Sequence, residues 1–422
     1  MGAYIITGGE KLRGAVRIGG GKNAVLPILA ACMLNAGVCV LHNCPRISDT
    51  QTALAILRAL GCAADFDGDE IVADSAFADE YRVPEAQVLK MRAAIIFLGS
   101  VLGRFGKVRV CFPGGCELGA RPIDLHLKAM RQMGAVITED GGCIDCTAAR
   151  LRGARIHLDF PSVGATENVM LAAVLAEGET VITNAAREPE IVDLQGFLNA
   201  MGADVRGAGS GTVVISGVLP ETLHSVEYTI MPDRIVAGTM LTAAAITHGE
   251  IVLDGVVPEH LSSVLAKLAE TGCEIREFDR QIELRAPERI RAIDCVRTLP
   301  HPGFPTDMQS QLMAYLCVAD GTSVCIETVF ESRNKHVAAL TRMGAEIILS
   351  QDGQTSVIKG VPKLCGARVA ARDLRGGAAL VLAGLAAEGE TVVTETKHIE
   401  RGYERLTEDL VMLGADIAVA DA

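Results

Sequence analysis

Tryptophan is absent from this 422-residue chain, and aromatic residues make up only 4% of it. Hydrophobic residues nevertheless account for 49%, so the cores must be built largely from Ala, Val, Leu and Ile. Cores of that kind suit thin, repetitive α/β layers. Because the chain is too long for one ordinary core, we expect two domains of about 200 residues each.

The chain also lacks a run of basic residues, an apolar run of membrane length and the charged-then-apolar start of a signal peptide. Its formal net charge of -13 argues against a general nucleic-acid binder, so an anionic ligand must meet a local cluster of Arg and Lys. These absences predict a soluble, cytoplasmic protein that binds neither nucleic acid nor membrane.

Cysteine occurs 13 times, without the regular spacing of a disulfide framework, which favours a reducing compartment. Cys143 and Cys146 form one CxxC pair, but no second pair follows at zinc spacing. On a strand, an offset of three places them on opposite faces, so we expect no metal site there. We interpret every cysteine except Cys116 as a packing residue.

Cys116 lies in the segment PGGCELGARP at residues 113–122, whose composition predicts a mobile lid. Its glycines permit unusual backbone conformations, and a proline stiffens each end. Arg121 can lower the pKa of a nearby thiol and hold an anion. We therefore interpret Cys116 as a functional residue, with a buried, unreactive thiol as the alternative.

Glycine also marks an internal repeat. Six helical patterns end in a glycine before a strand, about 70 residues apart, and a second series of glycines before strands keeps the same period. The first series is Gly61, Gly134, Gly202, Gly272, Gly344 and Gly414. The second is Gly37, Gly106, Gly178, Gly249, Gly321 and Gly389.

Each repeat contains the pattern of two helices and about four strands, such as the helix NVMLAAVLA, the strand TVITNAA and the hairpin ADVRGAGSGTVVISG. Such a unit cannot bury its faces alone. We predict an α/β fold of two inside-out barrels, built from six repeats of about 70 residues with helices inside and sheets outside. The alternative, an open solenoid, lacks support because the repeats have neither a binding-face consensus nor distinct caps.

The segment before the first complete repeat resembles a missing strand pair for the last one. We therefore expect one domain at 22–231 and a discontinuous domain made of 1–21 and 232–422. The chain crosses between them near Gly21 and near 231–233, which predicts a hinge over a cleft that holds the active site.

Five motifs resemble the UDP-N-acetylglucosamine 1-carboxyvinyltransferases, also called enolpyruvyl transferases, and they span the chain in order. They are GGGKNAVLPILAA (19–31), PGGCELGARP (113–122), PSVGATEN (161–168), FPTDMQSQ (304–311) and HIERGYERL (398–406). The resemblance implies transfer of the enolpyruvyl group of phosphoenolpyruvate to the 3-hydroxyl of UDP-N-acetylglucosamine, the first committed step of peptidoglycan synthesis. It also implies an inside-out barrel in two domains, addition–elimination chemistry without metal or cofactor, and a monomer.

Phosphoenolpyruvate carries a carboxylate and a phosphate, so its site needs several cations at fixed positions. By resemblance these are Lys22, Arg121 and Arg401, with Arg92 and Arg375 as weaker candidates. Lys22 does not mark a P-loop, because Val16 and Asn23 stand where that motif needs Gly and Ser or Thr.

Asp307 follows Pro305 and Thr306, a setting that by itself favours a turn or a helix N-cap. The resemblance instead places Asp307 beside the sugar hydroxyl as a proton acceptor. It gives Cys116 the role of proton donor to the enol carbon or of covalent nucleophile, with Lys22 as a third catalytic residue. It also implies that the epoxide fosfomycin alkylates Cys116 and that Cys116→Asp resists it.

The resemblance assigns the sugar nucleotide to ten residues. They are Asn23, Arg92, Pro122, Asp124, Leu125, Ser162, Val163, Gly164, Asp307 and Val329. Arg333 and the pair Asp373 and Arg375 also match family positions, although ion-pair roles in the framework fit them equally well.

Three alternatives remain open. 5-Enolpyruvylshikimate-3-phosphate synthase shares the fold and mechanism but does not use the cysteine lid. A non-catalytic paralogue could bind the nucleotide sugar without turnover. A cysteine redox sensor would account for Cys116 but for neither Asp307 nor Arg401.

Overall fold

The computed structural model describes residues 2–68, 70–112 and 123–421. The predictions for Cys116, Arg121 and Pro122 therefore lie outside the described residues.

The described residues form α-helices and strands that alternate along the whole chain. The helices are α1 (Lys22–Ala31), α2 (Ser48–Ala59), α3 (Glu85–Lys90), α4 (Phe97–Phe105), α5 (Asp124–Gln132), α6 (Val163–Ala173), α7 (Pro189–Ala200), α8 (Arg234–Ile246), α9 (Ser262–Glu270), α10 (Thr306–Leu316), α11 (Val337–Arg342), α12 (Leu374–Ala386) and α13 (Leu406–Met412). Short 3₁₀ helices cover Arg92–Ile96, Pro220–Thr222, Pro258–Leu261, Arg333–His336 and Thr396–His398.

The strands are mostly five residues long or shorter. They are β1 (Gly2–Thr7), β2 (Arg13–Arg17), β3 (Val38–His42), β4 (Ala63–Asp67), β5 (Glu70–Asp74), β6 (Lys107–Cys111), β7 (Val136–Asp140), β8 (Cys143–Thr147), β9 (Arg155–His157), β10 (Glu179–Thr183), β11 (Asp204–Arg206), β12 (Thr212–Ser216), β13 (Val226–Thr229), β14 (Glu250–Asp254), β15 (Glu274–Phe278), β16 (Gln281–Arg285), β17 (Cys295–Arg297), β18 (Thr322–Ile326), β19 (Glu346–Leu349), β20 (Thr355–Lys359), β21 (Leu364–Cys365), β22 (Arg368–Ala370), β23 (Ala387–Glu388), β24 (Glu390–Thr394) and β25 (Asp416–Asp421).

One strand arrangement recurs through the described sheets. A strand pairs in parallel with one neighbour and antiparallel with the second strand of a hairpin on its other side. The four-stranded orders are β13-β3-β5-β4, β11-β12-β10-β9, β15-β16-β14-β2, β17-β18-β20-β19 and β22-β24-β1-β25. The order β6-β8-β7 is the same without a named parallel strand, and an isolated parallel bridge between Arg82 and Arg109 marks its place.

The first glycine series lies where helices give way to strands. All six of its members have φ between 92° and 105°, a left-handed region that favours glycine, so the predicted helix-ending role is confirmed. In the second series, Gly106, Gly178, Gly321 and Gly389 also have positive φ, whereas Gly37 and Gly249 do not.

The described chain divides into two compact units. The C-terminal unit comprises residues 2–19 and 232–421, and the N-terminal unit comprises the described residues between 20 and 231. Within the C-terminal unit, β1 pairs with β24 and β25, whereas β2 pairs with β14. The predicted N-terminal strand pair for the last repeat is therefore confirmed for β1 and wrong for β2.

Each unit has helices that are buried nearly all round. In the C-terminal unit α8, α10 and α12 pack on one another, and in the N-terminal unit α4 packs along α6. Eleven of the 13 residues of α12 are buried, which explains its run of Ala, Gly, Leu and Val. No helix in the described ranges is both long and apolar enough to span a bilayer.

The cysteine prediction needs two corrections. Cys111 and Cys143 face each other on β6 and β8 and form a disulfide, so they are not simple packing residues. Direct cross-strand pairing brings together two thiols that are 32 residues apart in sequence, and sequence spacing did not reveal it. Cys295 and Cys365 are exposed, so they do not pack a core either.

Candidate functional site

Asp307, the second residue of α10, is held by two arginines in the C-terminal unit. Its Oδ1 lies 2.8 Å from Nη2 of Arg333, and its Oδ2 lies 3.0 Å from Nη2 of Arg375. The Asp307 side chain is 26% exposed, whereas the two arginine side chains are 2% and 3% exposed. The carboxylate is thus the accessible part of this group, which we call the Asp307 cluster.

The two guanidinium groups fix the charge of Asp307. Burial alone would raise its pKa, but Arg375 and then Arg333 overcome that effect and hold the pKa far below its usual range. Asp307 is therefore a carboxylate at any working pH, suited to accepting hydrogen bonds.

The structure excludes the helix-cap interpretation of Asp307. Pro305, and not Asp307, occupies the N-cap position of α10. A cap is found instead at α12, where Oδ1 of Asp373 accepts hydrogen bonds from the backbone N–H groups of Arg375 and Gly376. The ion-pair alternative for Arg333 and Arg375 is therefore the arrangement observed.

Glu327, which the sequence did not single out, braces the residues around Asp307. It is 1% exposed, and its Oε1 accepts hydrogen bonds from the backbone N–H groups of Val329 and Phe330. Its Oε2 accepts a hydrogen bond of 2.9 Å from the Thr306 hydroxyl. The Val329 turn is therefore tied to the start of α10.

Arg375 also lies against the ring of Tyr403, with Cζ 5.3 Å from the ring centroid. The Tyr403 hydroxyl meets Thr239 at 2.9 Å and Nε2 of Gln311 at 3.1 Å, so a buried polar network supports this side of the cluster. Arg401, two residues before Tyr403, is half-buried in the turn that follows the 3₁₀ helix Thr396–His398.

Lys22 is the first residue of α1 in the N-terminal unit, and Asn23 follows it. The Lys22 ammonium lies 2.7 Å from Oδ2 of Asp49, with side chains 11% and 3% exposed. A side chain on Gly20 would collide with the carbonyl oxygen of Asn43, which explains a glycine just before this helix. Asp49 is a counter-ion that sequence reasoning missed.

The nucleotide residues predicted in the N-terminal unit lie at the starts of two helices. Asp124 and Leu125 begin α5, while Val163 and Gly164 begin α6 after the N-cap Ser162, whose Oγ accepts a hydrogen bond from the N–H of Ala165. These two helices pack against each other. Arg92 begins the 3₁₀ helix Arg92–Ile96, which contacts α6.

His126, one residue beyond the predicted pair, connects α5 with α6. Its Nδ1 lies 2.8 Å from Nδ2 of Asn168 on α6, and the ring packs over Gly164. Burial lowers the pKa of His126 to about 4, with Asp124 opposing and Arg92 adding to the effect. His126 and Asn168 were not predicted, although His126 directly follows the predicted Leu125 and Asn168 ends the motif PSVGATEN.

The described candidates thus form two groups. Asp307, Val329, Arg333, Asp373, Arg375 and Arg401 belong to the C-terminal unit, and Lys22, Asn23, Arg92, Asp124, Leu125, Ser162, Val163 and Gly164 belong to the N-terminal unit. Among the described residues, no group of three or more His, Cys, Asp or Glu side chains is placed to hold a metal ion.

Comparison with known proteins defines the class. Residues 6–410 match the family described as EPSP synthase (3-phosphoshikimate 1-carboxyvinyltransferase). The fold resembles that of the enolpyruvyl transferase NikO from Streptomyces tendae, with a TM-score of 0.90 and 27% identity over 100% of this chain and 99% of that one. EPSP synthase from Acinetobacter baumannii has the same fold at a TM-score of 0.76 and 20% identity, with both chains covered in full.

Two curated relatives indicate which group of enolpyruvyl transferases this chain resembles in sequence. UDP-N-acetylglucosamine 1-carboxyvinyltransferase 2 of Caldanaerobacter subterraneus is 51% identical over 417 residues, 99% of each chain. UDP-N-acetylglucosamine 1-carboxyvinyltransferase 1 of Symbiobacterium thermophilum is 51% identical over 422 residues, covering 98% of this chain and 94% of the relative. The chain has a mixed α/β enolpyruvyl transferase fold, and it belongs to the UDP-N-acetylglucosamine 1-carboxyvinyltransferases. The resemblance found in the sequence, and the prediction of a transferase, are confirmed.

Proposed function

We propose that this chain transfers the enolpyruvyl group of phosphoenolpyruvate to the 3-hydroxyl of UDP-N-acetylglucosamine and releases phosphate, as a step of peptidoglycan synthesis. Relatives 51% identical over nearly the full length carry the name of that activity. The structural observation that carries the proposal is the partly exposed carboxylate of Asp307, fixed between two buried guanidinium groups. A carboxylate so held is suited to accept a hydrogen bond from a sugar hydroxyl.

The reaction proceeds by addition and elimination. The terminal carbon of the enol takes up a proton, and the hydroxyl oxygen bonds to the neighbouring carbon that bears phosphate and carboxylate. The hydroxyl proton leaves as that bond forms. Loss of a proton from the new methyl group then restores the double bond and expels phosphate, which gives the enol ether.

Asp307 suits the step in which the sugar hydroxyl loses its proton. Its low pKa makes it a weak base towards a free hydroxyl. The oxygen becomes far more acidic once it bonds to carbon, so a carboxylate already hydrogen-bonded to it can accept the proton at that stage. Asp307 therefore orients the acceptor first and takes the proton late.

Lys22 is proposed to contact phosphoenolpyruvate, together with Arg401, Arg92 and the undescribed Arg121. The close ion pair with buried Asp49 supports this role for Lys22, because it holds the ammonium group in a fixed position. Arg375 is buried and forms an ion pair with Asp307, so its contacts favour a supporting role. Direct contact between Arg375 and phosphoenolpyruvate stays a prediction.

Assignment of both groups of residues to one reaction rests on the family, because they belong to different compact units. We also retain as proposals the domain division at residues 22–231, the six-repeat inside-out barrels and the roles of the predicted site residues. The recurring sheet arrangement supports the repeats. The cytoplasmic location and the monomeric state stay predictions.

The test is phosphate release from phosphoenolpyruvate with either UDP-N-acetylglucosamine or shikimate 3-phosphate as acceptor. We expect release only with the nucleotide sugar, and a loss of about a hundredfold or more in kcat for Asp307→Ala and Asp307→Asn. Asp204→Ala, which removes an exposed carboxylate from β11, is the matched control and should keep full activity.

The acceptors separate the alternatives. Release with shikimate 3-phosphate alone would favour the synthase named by the family description and by the 20%-identical structures. Binding of the nucleotide sugar by a folded wild-type protein that releases no phosphate would favour the non-catalytic paralogue.

A further inference from the structure

His126 has one ring nitrogen whose hydrogen-bond partner is fixed by the surrounding structure. The residue is 7% exposed on α5, and its Nδ1 lies 2.8 Å from Nδ2 of Asn168. Asn168 makes two further bonds. Its Oδ1 accepts from the N–H of Gly99 at 2.7 Å, and its Nδ2 donates to the carbonyl oxygen of Ile95 at 3.0 Å.

These bonds determine where the proton of His126 lies. The N–H of Gly99 can only donate, so the atom of Asn168 that meets it must be the carbonyl oxygen. The other end of the amide is then NH₂, which donates to Ile95 and to Nδ1 of His126. Nδ1 must therefore be an unprotonated acceptor, and the neutral ring carries its proton on Nε2.

The protonated edge of the ring lies over the first turn of α6. A Cβ built on Gly164 would be 3.2 Å from Cε1 and 3.5 Å from Nε2 of His126. No hydrogen bond joins Nε2 to another group of the described chain, since Asn168 at Nδ1 is the partner found for this ring. The ring thus holds an N–H donor beside a helix start that already has backbone N–H groups without helical partners.

We propose that Nε2–H of His126 donates a hydrogen bond to a phosphate oxygen of the nucleotide bound at the start of α6, and that Asn168 positions this donor by fixing the tautomer. The inference deepens the proposed function and rests on it. A helix N-terminus favours an anion, and the buried ring adds a directed donor to the same place.

The donor is neutral, unlike the cations assigned to phosphoenolpyruvate. A charged imidazolium would point a second N–H at the NH₂ of Asn168, which has no lone pair to accept it. Asp124 on α5 and Arg92 on the neighbouring 3₁₀ helix act on the ring with opposite signs. The ring therefore supplies one hydrogen bond of fixed direction.

Two substitutions at His126 separate this role from a framework role. In His126→Asn, the side-chain oxygen can still accept from Asn168 at the place of Nδ1, but the Nε2 donor is lost. In His126→Gln, the terminal amide can supply a donor near the place of Nε2, but the acceptor for Asn168 is lost. A residue that acts only by bonding Asn168 tolerates Asn better, whereas the proposed donor tolerates Gln better.

Binding of uridine, UDP and UDP-N-acetylglucosamine is measured by calorimetry with wild type and both variants, after thermal unfolding confirms that each is folded. We expect His126→Asn to weaken the binding of UDP and UDP-N-acetylglucosamine by about tenfold to a hundredfold, because one hydrogen bond to a charged group is lost. The binding of uridine should not change. His126→Gln should lose less affinity than His126→Asn. The KM for phosphoenolpyruvate should not change in either variant.

The proposal is overturned if His126→Gln loses as much UDP affinity as His126→Asn or more. It is also overturned if His126→Asn binds UDP as tightly as the wild type does, or if His126→Asn loses as much affinity for uridine as for UDP. Failure of the wild type to bind UDP-N-acetylglucosamine overturns the proposed function instead.

A second measurement does not depend on variants. A long-range ¹H–¹⁵N spectrum of the wild type should show His126 with a protonated Nε2 and an unprotonated Nδ1. The reverse tautomer, or a ring protonated on both nitrogens at neutral pH, overturns the assignment.

Discussion

Two buried polar groups, one in each compact unit, lie beside the first turn of a helix but use opposite electrostatics. At α10 the Asp307 cluster combines one carboxylate with two guanidinium groups. At α6 the ring of His126 is neutral and is held by the neutral amide of Asn168. The first arrangement fixes a negative charge, and the second fixes the direction of a single N–H. Units with the same sheet arrangement can thus prepare a charged or an uncharged contact.

The two buried histidines make the comparison sharper. Burial lowers the pKa of both His126 and His336 to about 4. His126 has a defined partner at Nδ1, whereas neither ring nitrogen of His336 makes a hydrogen bond of normal geometry. A lowered pKa therefore reports burial, and only the hydrogen-bond geometry distinguishes the histidine that presents a directed donor.

The largest effect is expected from breaking the charged group. Arg333 donates from Nε and Nη2 to the carbonyl oxygen of Thr306 and from Nη2 to Asp307. Arg333→Met keeps most of the buried side-chain volume but removes these bonds and leaves Asp307 with one guanidinium. We expect the free energy of unfolding to fall by about 3 to 5 kcal/mol, measured by urea denaturation at neutral pH.

The control for Arg333 is an arginine paired at the surface. Arg206 lies 2.7 Å from Asp204, and its side chain is 69% exposed. Arg206→Met should leave the stability unchanged within error, because water replaces an exposed ion pair. Equal losses in the two variants would show that the burial of the Asp307 cluster has no energetic consequence.

The sequence predicted secondary-structure elements better than it predicted which residues contact one another. The glycines that end helices were found because a left-handed turn favours one residue type, and their φ values agree. The pattern of helix, strand, helix and hairpin read from NVMLAAVLA onwards is present as α6, β10, α7, β11 and β12. Local chemistry suffices for such features.

Contacts between residues that are distant in sequence could not be predicted in the same way. The counter-ion Asp49 is one of 52 acidic residues, and nothing near it in sequence distinguishes it. The neighbours of Asp307 in sequence favoured a turn or a helix N-cap, but two arginines 26 and 68 positions away decide what its carboxylate does. The cross-strand pair Cys111 and Cys143 was missed for the same reason.

A smaller effect on stability is expected from the two buried histidines, and it develops gradually as the pH is lowered. Both should stay unprotonated in the folded protein until the pH approaches about 4, whereas they protonate near 6.5 when the chain unfolds. The stabilising contribution is therefore complete above pH 6.5 and is lost as the pH falls towards 4, by about 3 kcal/mol for each histidine. Titration of each ring by NMR tests this directly.

A third histidine provides the contrast within the same titration. His42 lies on the surface between Glu227 and Glu70, and the hydrogen bond to Glu227 raises its pKa. It should protonate well before the two buried rings as the pH is lowered. Single-site titration is needed because burial raises the pKa of Asp193 and Asp409 to about 6, which opposes the histidines in the overall stability. Midpoints in the reverse order would contradict the burial argument.

The smallest effect is expected at the contact between His126 and α6. In Gly164→Ala, the new methyl group lies 3.2 Å from Cε1 of His126, so the ring must move by a few tenths of an ångström. Because Asn168 holds the other edge of the ring, the shift moves Nε2–H and should lengthen its proposed hydrogen bond to the nucleotide. We expect the KM for UDP-N-acetylglucosamine to rise by about threefold and kcat to stay unchanged. Gly103→Ala on α4 is the control, since its methyl group makes ordinary contacts of 3.5 Å with α6. An equal change in KM for both variants would mean that crowding at α6 in general, and not the position of the His126 ring, weakens the nucleotide.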